Sequence, residues 1–214
     1  MFKKIIKNLI PPIFIVLYRK IFHKNPTPDL LFDGDDKLFK RVLKNAKTYG
    51  EYGCGKSTKW VLNNTNCIII AVDSSKEWVE EVLSNNESNK HRLNIKYINI
   101  GEVKDWGRPI DYSKRESFSM YTDFLWEKEI KPKLILIDGR FRVCCFLTSL
   151  RYADEGTYIL FDDYTNRPQY HVIEEYVSRV EECGRQCLFI VPPSKEIDFD
   201  SLKKDIDIFR YVMD

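Results

Sequence analysis

Short apolar, β-branched runs alternate with helical stretches along most of the chain. This pattern indicates a doubly wound α/β fold whose mostly parallel, seven-stranded sheet is covered on both faces. In such sheets ligands bind beyond the carboxyl ends of the strands. The predicted strands are Thr48–Tyr52, Cys67–Val72, Ile95–Ile100, Leu134–Ile137, Tyr158–Phe161, Cys187–Val191 and Ile206–Val212. The predicted helices are Lys37–Lys47, Ser57–Leu62, Lys76–Leu83, Phe118–Glu129, Val143–Tyr152 and Tyr170–Glu182.

The N-terminal segment, residues 1–24, has a different pattern. It contains no acid, and six cations are interleaved with apolar residues. Its longest uncharged stretch, Asn8 to Tyr18, is far shorter than the roughly 20 residues that cross a bilayer. We predict that this segment lies in a membrane interface, with its cations over anionic headgroups; packing on the domain or on a second subunit is the alternative. Residues 25–36 are predicted to form a linker, and residues 37–214 one domain.

Composition narrows the class of protein. The chain has 214 residues, 43% of them apolar, which suits a single core. Its formal net charge of +2 argues against a nucleic-acid partner. Six cysteines occur without any C-x-x-C pair, a pattern typical of reduced thiols in the cytoplasm. We therefore expect a cytoplasmic protein, peripheral on the inner face of a membrane, for which a homodimer is an option.

The glycine-rich stretch Gly50–Ser57 has two competing interpretations. From Gly50 it matches G-x-x-x-x-G-K-S, the phosphate-binding P-loop. From Glu51 it reads E-x-G-x-G-x-S-T. A P-loop follows a buried hydrophobic strand, but the residues before Gly50 are too polar for one. The second interpretation is favoured, although a P-loop NTPase or kinase stays open.

The second predicted strand supports a nucleoside site. It ends in Asp73, about 20 residues after the glycine loop, where Rossmann-like folds place the carboxylate that binds ribose hydroxyls. A simple glycine turn would explain Gly53 and Gly55 but would not explain the acids Glu51 and Asp73.

Several motifs in this order resemble the class I S-adenosylmethionine-dependent methyltransferases, of the kind associated with polysaccharide biosynthesis. They are EYGCGKST, AVDSSKEW, DWGRP, LILIDGRFR and YILFDDYTNRPQYH, which together cover most of the chain from about residue 49 to 191. The departure is Lys56, where smaller or neutral residues are usual. The resemblance implies S-adenosylmethionine as cofactor. The implied cofactor-binding residues are Glu51, Gly53, Gly55, Ser57, Asp73, Ser74 and Gly101.

Carboxylates follow the predicted fourth and fifth strands. Asp138 ends the former, and Asp162 and Asp163 end the latter, so all three are expected at one edge of the sheet. Hard oxygen ligands suit Mg²⁺, which lowers the pKa of a bound hydroxyl. The layout resembles metal-dependent O-methyltransferases. A purely structural or capping role for these acids is the alternative.

The remaining candidates are acceptor-site residues. His171 is a natural general base beside Asp138 and Asp163, with helix capping or packing as its alternative role. Guanidinium groups suit phosphate or carboxylate, although ion pairs with the nearby aspartates compete with that role. The predicted substrate-binding residues are Trp106, Arg108, Arg140, Arg142, Tyr164 and Arg167.

These observations predict an O-methyltransferase that acts on a sugar hydroxyl of a glycan or lipid-linked saccharide. Methyl transfer is an in-line displacement, so the protein mainly aligns the reactants and deprotonates the acceptor. A non-catalytic nucleoside-binding protein is a further alternative.

Overall fold

A computed structural model of the chain describes residues 30–33, 35–84, 87–104 and 107–214. The predictions for residues 1–24 and for Trp106 lie outside these ranges, as does much of the predicted linker. Residues 31–214 form one compact unit. Phe32, near its start, is buried in one of the apolar clusters of this unit. Within the described ranges, no helix is long and apolar enough to cross a membrane.

The described elements alternate as the sequence pattern predicts. The strands are β1 Thr48–Tyr52, β2 Ile68–Asp73, β3 Leu93–Tyr97, β4 Val103–Lys104, β5 Arg108–Pro109, β6 Leu134–Ile137, β7 Tyr158–Phe161, β8 Glu181–Cys183 and β9 Gln186–Ile190. The α-helices are α1 Lys37–Leu43, α2 Lys56–Asn64, α3 Lys76–Ser84, α4 Phe118–Thr122, α5 Arg142–Tyr152 and α6 Phe199–Phe209. Short 3₁₀ helices lie at Glu87–Arg92, Arg115–Ser117, Phe124–Trp126, Pro168–Glu175 and Ser194–Glu196.

Seven strands form one sheet in the order β3-β2-β1-β6-β7-β9-β8, and β4 and β5 form a separate hairpin. The strands from β3 to β7 in this order pair in parallel, and β9 is antiparallel to both of its neighbours. The predicted doubly wound, seven-stranded Rossmann-like fold is confirmed. The chain order reverses between β1 and β6, which is where open α/β sheets bind ligands.

The sheet separates two apolar clusters. Tyr52, Ile137 and Phe161 belong to one cluster, whereas Leu136 and Leu160 belong to the other. Successive side chains of a strand point to opposite faces, so a strand covered on both faces is apolar throughout. This explains why β6 is uninterrupted LILI and fully buried.

Three predicted elements differ in the structure. The strand predicted at Ile206–Val212 is wrong: most of that segment belongs to helix α6, which buries Leu202 and Ile206 one turn apart. The helix predicted at Tyr170–Glu182 is also wrong, because a 3₁₀ helix ends at Glu175 and β8 follows as an edge strand paired with β9. The helix predicted at Phe118–Glu129 is reduced to the five residues of α4, followed by a 3₁₀ turn.

Candidate functional site

The turns after β1 and β6 touch backbone to backbone at the switch point. Gly53 has φ +91°, and a Cβ added there would lie 2.6 Å from the Cα of Gly139. The Gly53 N–H donates to the Val72 carbonyl (2.9 Å), and the Asp138 N–H donates to the Tyr52 carbonyl (2.9 Å). The sheet hydrogen bonding therefore continues into both turns and fixes the loop that opens helix α2.

Glu51, in strand β1, fixes this loop through hydrogen bonds to the first turn of helix α2. Its buried carboxylate accepts hydrogen bonds from the hydroxyls of Ser57 and of Thr58 (2.6 Å), and the Gly55 N–H donates to the Thr58 Oγ1 (2.9 Å). Burial raises the pKa of Glu51 to about 8, against the opposing effect of the hydroxyl donors. The structure thus places Glu51 and Ser57 in the support of the loop, and leaves Gly53 and Gly55 partly exposed.

Asp73 lies at the carboxyl end of β2, beside the same loop. Its carboxylate oxygens accept from the Cys54 N–H (2.7 Å) and the Ser75 N–H (2.6 Å). Burial raises the pKa of Asp73, and the backbone donors partly offset that effect. Each carboxylate oxygen has two acceptor sites. Both oxygens of Asp73 can therefore accept a second hydrogen bond, from a ribose hydroxyl. Ser74 donates to the Gly107 carbonyl (3.3 Å).

Gly101 is the remaining residue of the predicted cofactor-binding set. It has φ +101°, and its N–H donates to the Asn99 Oδ1 (3.0 Å), so it forms the turn after β3. Both Gly101 and Ser74 follow strands at the edge where Asp73 lies.

The P-loop interpretation is not supported. Gly50, which would open that motif, lies inside β1, and a Cβ added there would be 2.8 Å from the Leu125 Cδ2. The turn between β1 and α2 consists only of residues 53–55. A phosphate-cradling loop needs its whole G-x-x-x-x-G stretch free of the sheet.

Three carboxylates meet beyond β6 and β7. Asp138, Asp162 and Asp163 each present an oxygen within 4.8 Å of the others, as the sequence predicts. The guanidinium group of Arg142 lies among them. It donates to the Asp138 Oδ1 (3.0 Å) and to the Asp162 carbonyl (2.7 Å).

Arg142 therefore has a role other than the predicted substrate binding. Its side chain is 4% exposed, and further donors reach the Gly139 carbonyl (3.0 Å) and the Asp138 carbonyl (3.3 Å). An arginine in this position ties the turn after β6 to the end of β7. The structure contains the alternative given in the sequence analysis, an ion pair of Arg142 with the nearby aspartates.

The charges of this cluster do not fit Mg²⁺. Besides Arg142, Asp163 pairs with Arg167 (2.6 Å) and with Arg185 (2.9 Å). Three guanidinium groups thus offset the three carboxylates, whereas a magnesium site relies on uncompensated carboxylate charge. Asp163 also has φ +58°, a left-handed conformation that a non-glycine residue keeps only when its surroundings hold it. We assign it to the framework of the site.

Burial perturbs the carboxyl groups of Asp138 and Asp162. Burial raises the pKa of Asp162 to about 7, and the neighbouring charges of Asp138 and Asp163 add to the shift. Burial also raises the pKa of Asp138, while Arg142 opposes the shift. The Asp138 side chain is 34% exposed and that of Asp163 is 9% exposed. Of this cluster, Asp138 is the carboxylate that an acceptor can reach.

The geometry does not support His171 as a general base. Its Nε2 lies 3.1 Å from the Tyr164 carbonyl and its Nδ1 lies 3.2 Å from the Arg179 Nη2. Both ring nitrogens are thus engaged by the protein, which is the packing role weighed as the alternative. Tyr164, predicted to bind substrate, is fully buried and donates to the Glu174 carboxylate (2.7 Å).

The other predicted acceptor-site arginines are more accessible. Arg108 is exposed, Arg140 is half-buried, and Arg167 donates to the Tyr170 hydroxyl (3.2 Å) while it pairs with Asp163. Sequence reasoning missed Tyr121, whose buried hydroxyl accepts from the Arg140 N–H (3.1 Å) beside Gly139. No local motif marks Tyr121, because its partner belongs to a distant segment.

In comparisons with known proteins, neither a family model nor a curated protein matches the chain. Among solved structures, a methyltransferase-like protein from Silicibacter pomeroyi aligns with a TM-score of 0.66 and 27% identity, over 79% of this chain and 91% of its own. The O-methyltransferase from Bacillus cereus in complex with SAH aligns with a TM-score of 0.49 and 16% identity, over 89% and 96%. A methyltransferase from Geobacter sulfurreducens aligns with a TM-score of 0.49 and 10% identity, over 89% and 95%.

The first of these likenesses, with a TM-score above 0.5, supports the fold described above. The chain has the Rossmann-like fold of the class I methyltransferases. Fold and site together indicate an S-adenosylmethionine-dependent methyltransferase.

Proposed function

We propose that this chain is an S-adenosylmethionine-dependent O-methyltransferase that acts on a sugar hydroxyl of a glycan or lipid-linked saccharide. The observation that carries the cofactor assignment is the close contact of Gly53 with Gly139, with Asp73 at the end of the adjacent strand. The contact fixes the turn after β1, and the side of Gly55, where an added Cβ would meet only Trp78 at 4.0 Å, leaves room for the methionine end of the cofactor. The Asp73 carboxylate accepts from its ribose.

Calorimetry tests the cofactor assignment. We expect S-adenosylmethionine to bind the full chain and ATP not to bind. Asp73→Ala removes acceptors of the ribose hydroxyls and should weaken binding by roughly 10–100-fold, the loss expected when hydrogen bonds to a charged group disappear. The matched control is Glu80→Ala, an exposed acid on α3. ATP binding, or equal cofactor affinity in wild type and Asp73→Ala, would contradict the assignment.

The chemistry follows from the exposed carboxylate at the switch point. S-adenosylmethionine, held at the glycine turn and Asp73, would supply an electrophilic methyl group to the acceptor oxygen, with S-adenosylhomocysteine as the leaving group. Asp138 accepts the proton of the acceptor hydroxyl. Its raised pKa makes it a stronger base than an ordinary aspartate, and Arg142 holds its orientation.

Substitution of Asp138 tests this role. Asp138→Asn keeps an oxygen acceptor for Arg142 but cannot take a proton, so kcat should fall by about 10²–10⁴-fold while cofactor affinity is kept. Asp154→Asn, an exposed acid paired with Lys133, is the control of equal charge change. His171→Ala should retain turnover because its nitrogens face protein groups. Unchanged turnover in Asp138→Asn would remove Asp138 from the mechanism.

We further propose that residues 1–24 place the enzyme on a membrane beside lipid-linked acceptors. The support is the sequence pattern of six cations with no acid. Vesicles containing anionic lipid should pellet the full chain but not a chain that lacks residues 1–24. Equal pelleting of the two proteins would refute this part of the proposal.

A further inference from the structure

Residues 211–214, here called the strap, bridge two segments at the carboxyl-end edge of the sheet. On one side, the Tyr112 hydroxyl donates to the Tyr211 carbonyl (3.1 Å) and the Arg108 Nε donates to the Met213 carbonyl (2.6 Å). On the other side, the Arg140 Nη1 donates to a backbone oxygen of Asp214 (2.8 Å). The strap thus connects the region beside Ser74 with the turn after β6.

The side chain of Asp214 lies at the first turn of α5. Its Oδ1 accepts from the Arg142 N–H (3.1 Å), one of the backbone donors that a helix N-terminus leaves without an intrahelical partner. With the Arg140 guanidinium beside it, this position offers a backbone donor and a fixed positive charge to one anionic group. Such a combination suits a carboxylate or a phosphate.

This position also lies next to the proposed base. Arg140 follows Asp138 by two residues, and its charge partly opposes the burial that raises the pKa of the Asp138 carboxyl. An anion held by Arg140 would therefore bring the rest of its molecule towards Asp138. Two of the four arginines that the sequence predicts for substrate binding, Arg108 and Arg140, are engaged by the strap.

The strap is held less completely than the core. Tyr211 and Val212 are 45% and 41% exposed. The Asp214 Oδ2 is buried and has no hydrogen-bond partner among the described residues. A buried carboxylate oxygen without a partner is unfavourable, so Asp214 fits this position only in part.

We propose that the methyl acceptor carries an anionic group, a carboxylate or a phosphate, which displaces Asp214 from Arg140 and from the N–H of Arg142. The strap itself occupies this subsite in the structure. The inference rests on the proposed function, because it names the chemical class of the acceptor. It predicts that the chain's own strap competes with anions.

Calorimetry with glucuronate, glucose 6-phosphate and glucose tests the proposal on the full chain. Two variants loosen the strap without altering the arginines: Asp214→Asn and Tyr112→Phe. If the strap occupies the subsite about 90% of the time, its release tightens anion binding on the order of tenfold. Asp207→Asn, an exposed acid on α6, is the control for the change in net charge. Neutral glucose should bind equally weakly in all of these proteins.

Comparison of the two anions distinguishes an acceptor that carries a carboxylate from one that carries a phosphate. Tighter glucuronate binding alone supports a uronate acceptor, and tighter glucose 6-phosphate binding alone supports a phosphorylated one. Arg140→Gln should abolish the gain when it is combined with Tyr112→Phe. If neither anion binds more tightly in the strap variants than in Asp207→Asn, the inference is overturned. Failure of the proposed function is measured separately, as absence of S-adenosylmethionine binding.

Discussion

At the scale of single residues, alanine substitutions at Gly53 and Gly156 distinguish the effect of close packing from the effect of backbone conformation. Both have positive φ, +91° and +78°, but a Cβ at Gly53 would overlap Gly139, whereas a Cβ at Gly156 would meet nothing within 4 Å. Gly53→Ala should lower the free energy of unfolding by about 2–4 kcal/mol and weaken cofactor binding, because the two turns must separate. Gly156→Ala should lower it by about 1–2 kcal/mol through its conformation alone.

Urea unfolding and calorimetry on the two variants check this prediction. The contact between the turns matters only if Gly53→Ala loses more stability than Gly156→Ala. Equal losses would mean that backbone conformation accounts for the whole effect.

The location of a site residue could be predicted from the sequence when the residue lies at the end of an apolar strand. Asp73 and Asp138 follow apolar strands, so the end of each strand locates them at one edge. The roles of Arg142 and His171 could not be predicted in the same way. Their partners are the carbonyls of Asp162 and Tyr164 and the guanidinium group of Arg179, whose positions depend on how segments pack.

At the scale of elements, buried strands were predicted more accurately than those near the end of the chain. β6 and β7 have the predicted bounds. Each is a short, continuous apolar run without the polar positions of an amphipathic helix, so the pattern indicates a strand. The strand predicted at Ile206–Val212 is wrong because the apolar residues Ile206, Ile208 and Val212 also suit a strand. In the structure Ile208 is 62% exposed, and the helical spacing of Leu202 and Ile206 decides the conformation.

Helix α6 begins with a side-chain cap, Asp198. Asp198 accepts from the Asp200 N–H (3.1 Å) and from the Ser201 N–H (3.2 Å) and hydroxyl (2.7 Å). Asp198→Ala leaves these donors to water and should lower Tm by roughly 2–4 °C. Asp207→Ala, in the last turn of the same helix, should leave Tm unchanged or slightly raised, because an acid there opposes the helix dipole.

Thermal unfolding of the two variants, followed by circular dichroism, measures this difference. A Tm for Asp198→Ala that equals that of Asp207→Ala would show that the cap contributes nothing. Such a result would leave the packing of Leu202 and Ile206 on α5 as the reason for the helix.

At the scale of the whole molecule, the buried acids determine how stability varies with pH. Burial raises the pKa of Glu51 to about 8 and that of Asp162 to about 7, from ordinary values of 4.5 and 3.8. It raises the pKa of Asp73 and of Asp138 as well. A carboxyl whose pKa is higher in the folded chain contributes stability that is complete below its unfolded pKa. That contribution is lost as the pH rises through the folded pKa.

The free energy of unfolding should therefore fall between about pH 5 and pH 8, by up to ~1.4 kcal/mol per pH unit for each carboxyl that stays protonated only in the folded chain. Urea unfolding at several pH values measures the slope. Glu51→Gln resembles the protonated form and still accepts from Ser57 and Thr58, so the slope should become shallower. Glu80→Gln, an exposed pair with Lys76, should leave the slope unchanged. Stability that rises with pH over this range would mean that these carboxyls are ionised in the folded protein, with the arginines around Asp163 and the backbone donors at Asp73 outweighing burial.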